Sequence, residues 1–388
     1  MSYDNILLIN SYAGSLMIAA KKEKMNVLAS LEDKGYGIGS QKLNYPKENY
    51  IDAAPWPHPG RDLSNVVTLA HPPCACFSVQ GAQSKNPKTR GLGSDHFKSS
   101  RLAIEFALQH RTAALAVESV MGTLEGARVY HDRVAKKYGY RLYRVLQNAI
   151  TFGVPQWRQR FWLIMIREDL ARPKLWLQHS YKLRSIGESL QGVKPGEENW
   201  YVRREFDKIT KRVRDHGVTK LQLEKILDGD FGYGNLPMLV ARARGLEHKH
   251  GKVYDVCRKF GITTFSSSWP LILHPDGFTP AVMCTSHFWY QGRPLTMPEY
   301  NVVAGFPASY QFHTPKFQQC LLSRGVAPPV ARWVLQQVRH NLNGWQPKGT
   351  VGADHTAALE SGEVADFRIK RGEIRQRRLF YTGEDEAA

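Results

Sequence analysis

Short apolar runs alternate with amphipathic stretches along the first 170 residues. Ile6 to Ile9 predicts a strand, and the small residues that follow predict a turn. The stretch KKEKMNVLASLED reads as the end of a helix and a second strand closing on Glu32 and Asp33, and a Pro-rich polar loop covers residues 50–64. Val66, Val67, Thr68, Leu69 and Ala70 form a run of apolar and β-branched residues, the pattern of a buried strand. RLAIEFALQH has the period of an amphipathic helix, and ALAVES is another strand with Glu118 at its carboxyl end. GARVYHDRVAKKYG predicts a helix stopped by Gly139. RLYRVLQNA and RFWLIMI are two further strands flanking FGVPQWRQ. Strands alternating with helices imply an α/β fold: a doubly wound, mostly parallel, Rossmann-like sheet covered on both faces.

The pattern changes near residue 170. Basic clusters (KITKRVR, RARGLEHKHGK) mix with aromatics and irregular β-like stretches up to about residue 290. Residues 293–340 are again ordered and end in the amphipathic stretch PPVARWVLQQVRHNL, and a polar, charged tail follows from Gly344. The expected organisation is a catalytic unit over 1–170 and 293–343, a smaller recognition domain over 171–292, and a polar extension over 344–388. There are no internal repeats.

Composition narrows the class of function. The net charge of +18 favours a polyanionic partner, with nucleic acid first, because Lys and Arg that neutralise phosphates supply most non-specific binding. The hydrophobic fraction of 42% is ample for a packed core, against a largely disordered chain. Five scattered cysteines with no Cys-x-x-Cys pair support neither a zinc ribbon nor a secreted disulfide framework, so no metal is expected. No stretch approaches the roughly 18 apolar residues of a membrane span, and the N-terminus lacks a signal-peptide pattern. These features predict a reducing, cytoplasmic setting with no membrane partner.

The candidate chemistry begins at Pro72-Pro73-Cys74, on the turn after the Val66–Ala70 strand. That is where α/β folds place their ligands, and two prolines stiffen the approach. Taken alone, such a cysteine is more often a small buried core residue. Glu118, at another strand end, suits general acid–base work. Gln156, Arg158 and Arg160 alternate, so on one strand they would share a face. Residues 79–97 form a long polar, Gly-rich, basic loop, and such loops are usually functional.

Taken in order, HPPCACFS (71–78), VESV (117–120), FGVPQWRQR (152–160), RPLTMPEYNVVAGFPASYQF (293–312) and RGVAPPVA (324–331) resemble the motifs of the cytosine-5 DNA methyltransferase family. The resemblance covers roughly residues 5–170 and 293–340. It implies that the Cys74 thiolate adds to carbon 6 of a flipped cytosine, making an enamine whose carbon 5 accepts a methyl group. A positive field favours such a thiolate. Glu118 would assist at the ring nitrogen, with Arg160 and Arg158 gripping the base. Ser78, Gln80, Lys85, Lys88 and Arg90 would contact DNA as the loop closes, and the basic 170–290 segment would read base edges. The implied context is a bacterial cell or a virus, with double-stranded DNA as partner and a monomeric enzyme.

The implied cofactor is S-adenosylmethionine, with Tyr12, Ala13 and Gly14 in the first turn, Glu32 or Asp33 on the ribose, Asn44 at the adenine, and Pro73 and Val326 nearby. The family's first motif has further glycines that Asn10–Met17 lacks. Ser119 replaces an asparagine that helps hold the nucleophile loop. Arg324 also stands where the family has asparagine, and an added cation there could pair with a carboxylated S-adenosylmethionine, giving 5-carboxymethylcytosine. The rival readings are a transfer-RNA cytosine-5 methyltransferase and a catalytically silent DNA-binding relative. A Rossmann oxidoreductase fits poorly, because no Gly-x-Gly-x-x-Gly turn follows the first strand.

Overall fold

The computed structural model describes residues 3–33, 37–52, 54–57, 60–78, 90–196, 217–245, 271–283, 287–346 and 355–369, with isolated positions between 207 and 214. One eight-stranded sheet organises most of them. Its strands are β1 (Asn5–Ile9), β2 (Asn26–Glu32), β3 (Tyr50–Asp52), β4 (Val66–Ala70), β5 (Ala114–Ser119), β6 (Tyr140–Asn148), β7 (Gln159–Arg167) and β8 (Val364–Phe367). Their order across the sheet is β3-β2-β1-β4-β5-β7-β6-β8. Only β7 runs against its neighbours β5 and β6. The chain winds from β1 to β2 on one side and then crosses to β4 on the other. That reversal opens a crevice beyond the carboxyl ends of β1 and β4, the usual ligand position in such sheets.

The helices that cover the sheet are α1 (Ser15–Lys22), α2 (Ile38–Asn44), α3 (Asp95–Gln109), α4 (Arg128–Tyr138), α5 (Met297–Val303), α6 (Gln318–Arg324) and α7 (Pro328–Leu342). Alternation along β1 assigns its faces: Ile6 and Leu8 join one core with α1 and α7, Leu7 and Ile9 the other with α3 and α4. Every residue of β4 and β5 is buried, as expected of strands covered on both faces. Ser94 caps α3 by accepting from the Phe97 amide at 3.2 Å. Gly139 ends α4 in the left-handed conformation at φ 71°.

Helices Lys220–Asp228 and Leu236–Ala243 pack with a four-stranded sheet, and Leu223, Ile226, Leu239 and Trp289 share a separate apolar core. Among the described residues no helix is long and apolar enough to cross a membrane.

The C-terminal segment differs from the expected polar extension. His355–Leu359 pairs antiparallel with Leu175–His179, and β8 extends the main sheet beside β6. Ala365 and Phe367 are buried in the main core, together with Leu175 and Leu177. The polar composition of the tail hid the short alternation Val364-Ala365-Asp366-Phe367, in which alternate residues are buried. The Phe367 ring meets His179 and Trp333 edge-on. Phe367→Ala is expected to cost about 3–5 kcal/mol, read as a lower urea midpoint with an unchanged m-value; a loss below about 1 kcal/mol would mean that the strand is not part of the core.

Candidate active site

The parallel pairing of β4 with β5 sets Ala70 opposite Val117. The next residues along, His71 and Glu118, are therefore neighbours across the strands. His71 Nε2 lies 3.0 Å from Glu118 Oε2, and Arg160 Nε lies 3.0 Å from Glu118 Oε1. The Glu118 side chain is 0% exposed, so its carboxylate is sealed from solvent in this conformation. Both contacts are ion pairs by distance, and neither is aligned as a hydrogen bond. Entry of a base therefore requires a rearrangement over the site.

Burial opposes ionisation of Glu118, but His71, Arg160 and Arg158 outweigh it and hold the carboxyl below its ordinary range. Burial likewise opposes charge on His71. The Glu118 carboxylate and the Cys74 side chain overcome that and push it up to about 9. Arg158 moves the other way: burial and the neighbouring Arg160 bring it down to about 9.

Cys74 follows β4 by four residues and caps a short 3-10 turn, Ala75–Phe77. Two glycines fix this loop. A Cβ on Gly122 would collide with the Phe77 carbonyl oxygen, and one on Gly126 would come within 2.5 Å of the Phe77 ring. The ring also meets Phe97 edge-on, and Ser100 Oγ donates to the Pro73 carbonyl at 3.2 Å. Ser119 instead pairs with Thr123 at 2.6 Å. Close packing of Phe77 thus anchors the loop where the resemblance leads one to expect an asparagine.

The expectation that Gln156, Arg158 and Arg160 share a strand face is corrected. The strand is interrupted at Arg158, between Gln156–Trp157 and β7. Asn148 takes the place of a ladder partner there, its Oδ1 accepting from the Arg158 amide at 3.0 Å. Gln156 donates to the Val303 carbonyl in α5. Arg158 donates to the Ser323 and Gly325 carbonyls, at 3.1 and 2.5 Å, and only Arg160 contacts Glu118 directly. Arg158 therefore holds the end of α6, which presents Arg324, while the Val326 amide donates to Ser15 Oγ at 3.3 Å. Arg293 and Glu299 form a two-bond pair that caps α5 and serves the fold.

At the carboxyl end of β1, Asn10 and Tyr12 adopt positive φ (55° and 50°), and Gly14 starts α1 at φ 102°. Tyr310 donates its hydroxyl to the Ala13 carbonyl and fills the space a Gly14 side chain would need. Glu32 is turned inward. Its Oε1 accepts from the Tyr12 amide at 3.0 Å and from Gln41 Nε2 at 2.8 Å, and burial pushes its carboxyl well above the ordinary range. Asp33 Oδ2 and Asn10 Nδ2 are buried and have no hydrogen-bond partner among the described residues. These two orphaned atoms, an acceptor and a donor at adjoining strand ends, fit the hydroxyls of a bound ribose. The donor set thus fits S-adenosylmethionine, with Asp33 better placed than Glu32. Asn44 is engaged elsewhere: it binds the Ser40 carbonyl and both backbone groups of Gln311. The Tyr12 ring packs edge-on against His71 at 5.1 Å, so it faces the Cys74 side of the crevice.

Of the expected DNA contacts, Ser78 binds the Ala75 carbonyl at 2.9 Å and Arg90 lies exposed before α3. Gln80, Lys85 and Lys88 lie outside the described residues. Sequence reasoning missed His71, Gln41 and the Phe77 anchor. The signal for His71 was present, a titratable residue directly after a buried strand, but its partner is visible only through the strand register.

Two outcomes test this geometry. Gly122→Ala is expected to displace the Cys74 loop at a cost of about 1–3 kcal/mol in stability; unchanged stability and activity would refute the anchor. His71 holds its proton to about pH 9 in the folded chain, against 6.5 for the model value. Its stabilising contribution is complete below 6.5 and is lost as pH rises through 9. Urea titrations from pH 6 to 10 are expected to show that fall in the wild type and a flatter line in His71→Gln.

Comparison with known proteins agrees with this architecture. The profile of the C-5 cytosine-specific DNA methylase family matches residues 6–340. The Type II methyltransferase M.AplI of Arthrospira platensis is 32% identical over 110 residues, 27% of this chain and 30% of the relative's length. Among solved structures, one titled as a DNA modification methyltransferase encoded within a prophage (E. coli) aligns with a TM-score of 0.57 at 15% identity, covering 87% of this chain and 99% of its own. The Entamoeba histolytica methyltransferase EhMeth aligns with a TM-score of 0.56 at 13% identity, covering 87% and 98%. At such identities these structures speak for the fold alone. The family match spans nearly the whole described sheet and both flanking motif groups: the chain belongs to the C-5 cytosine-specific DNA methylase family.

Proposed function

We propose that this protein is a DNA cytosine-5 methyltransferase in which Cys74 is the nucleophile. The observation that carries the reading is the convergence of Cys74, Glu118 and Arg160 around His71, at the carboxyl ends of two adjacent central strands. The Cys74 sulfur adds to carbon 6 of a cytosine taken out of the duplex. Charge developing at the ring nitrogen is met by Glu118, and Arg160 orients Glu118 and the pyrimidine carbonyl. Arg158 keeps the 323–326 turn against the site. S-adenosylmethionine supplies an electrophilic methyl group when bound; Asp33 and Asn10 would hold its ribose, beside the Tyr12–Gly14 turn.

Duplex DNA is the proposed substrate because a net charge of +18 and a basic segment between the motif groups suit a polyphosphate partner. The Type II relative and the prophage-encoded neighbour support a bacterial or phage setting, in a restriction-modification role. The 171–292 segment is proposed as the target-recognition domain, consistent with its separate apolar core. Arg324 is exposed beside the cofactor turn and within electrostatic range of Tyr12, which keeps a carboxylated donor in view.

Bisulfite sequencing of DNA from an expressing host, with nucleoside mass spectrometry, tests the reading. The expected result is 5-methylcytosine at a defined site, absent with Cys74→Ser. Modification of transfer RNA alone would overturn the substrate, and a heavier acidic adduct would identify the carboxylated donor.

A further inference from the structure

His71 is unexplained by the roles above, yet it sits at their centre. It is 3% exposed, and its Nε2 is committed to the Glu118 carboxylate at 3.0 Å. The Cys74 side chain is within hydrogen-bonding reach of the same imidazole. The other ring nitrogen, Nδ1, is buried and has no aligned partner among the described residues, which leaves it to the thiol. One ring thus connects the sulfur that must lose a proton with the carboxylate facing the atom that must gain one. Glu118 cannot supply that proton unaided, because its cationic neighbours hold it ionised.

We propose that His71 is a further catalytic residue, a proton relay that carries the Cys74 thiol proton to Glu118 and on to the ring nitrogen at position 3 of the cytosine. The proposal rests on Cys74 being the nucleophile. In the addition step the S–H bond breaks and its proton goes to His71 Nδ1. The sulfur electron pair forms the S–C6 bond, and the C5–C6 π pair shifts to C4–C5. The C4–N3 π pair moves onto the ring nitrogen, which takes the proton that His71 Nε2 releases through Glu118. Atoms and charge balance without any external acid or base. The same relay logic makes an imidazole between a nucleophile and a carboxylate an activating device in other enzymes.

The groups facing His71 are Glu118 from β5, Cys74 from its own loop, and Tyr12 from the turn after β1. Arg158 and Arg160 act on Glu118 from the 158–160 segment, and Glu32 and Asp33 lie behind Tyr12. Each therefore shifts the pH profile but cannot replace the ring.

The test is the rate of covalent trapping by 5-fluorocytosine duplex DNA containing the target site, with S-adenosylmethionine, from pH 6 to 9.5. Wild type, His71→Gln and His71→Ala are compared, with DNA affinity and thermal midpoint as controls for folding. The expected result is a fall of about 10²–10³-fold at pH 7 in both variants, the usual worth of one general acid–base group. The deficit should shrink toward pH 9.5, where hydroxide removes the thiol proton directly. Trapping by the folded variants at the wild-type rate, or a slower rate whose pH profile matches the wild type, overturns the relay and leaves the nucleophile intact. Failure of the wild type itself to trap overturns the underlying reading.

Discussion

A carboxylate with no solvent exposure, held among an imidazole and two guanidinium groups, is the constraint on which the site depends. Removing Glu118 from water costs several kcal/mol unless cations compensate. Here they arrive from three places: β4's end supplies His71, β7 supplies Arg160, and the break before β7 supplies Arg158. The parallel register of β4 and β5 and the antiparallel register of β5 and β7 are therefore part of the chemistry. A slip of one residue in either would turn a partner to the other face.

That cluster is mechanically joined to both flanks of the crevice. Tyr12 packs its ring on His71 while its amide is held by Glu32, so the turn after β1 touches the proposed base site directly. Arg158 reaches from the same cluster to the carbonyls of Ser323 and Gly325, fixing the C-terminal motif against α1. A cofactor bound at one end and a base bound at the other would thus share a common wall of side chains. The inward-facing Glu32 belongs to that wall, which explains why Asp33 is left with the unpartnered oxygen.

Much of this was legible from the chain. Apolar periodicity located β1, β2, β4, β5, β6 and β7 nearly to the residue, because strands buried on both faces leave little room for ambiguity. Cys74, Glu118 and Arg160 were readable as strand-end chemistry. Arg158 and Gln156 were not, because a strand break cannot be told from a strand by alternation alone. His71 needed the pairing between strands distant in sequence. The strands near residues 355–367 escaped because two short edge segments in a polar tail carry almost no periodic signal.

The most direct measurement is mass-spectrometric mapping of the peptide cross-linked to fluorinated target DNA after proteolysis of the wild-type complex. The account predicts one modified peptide, with the oligonucleotide attached through the sulfur of Cys74. Attachment at any other residue, Cys76 included, would contradict it.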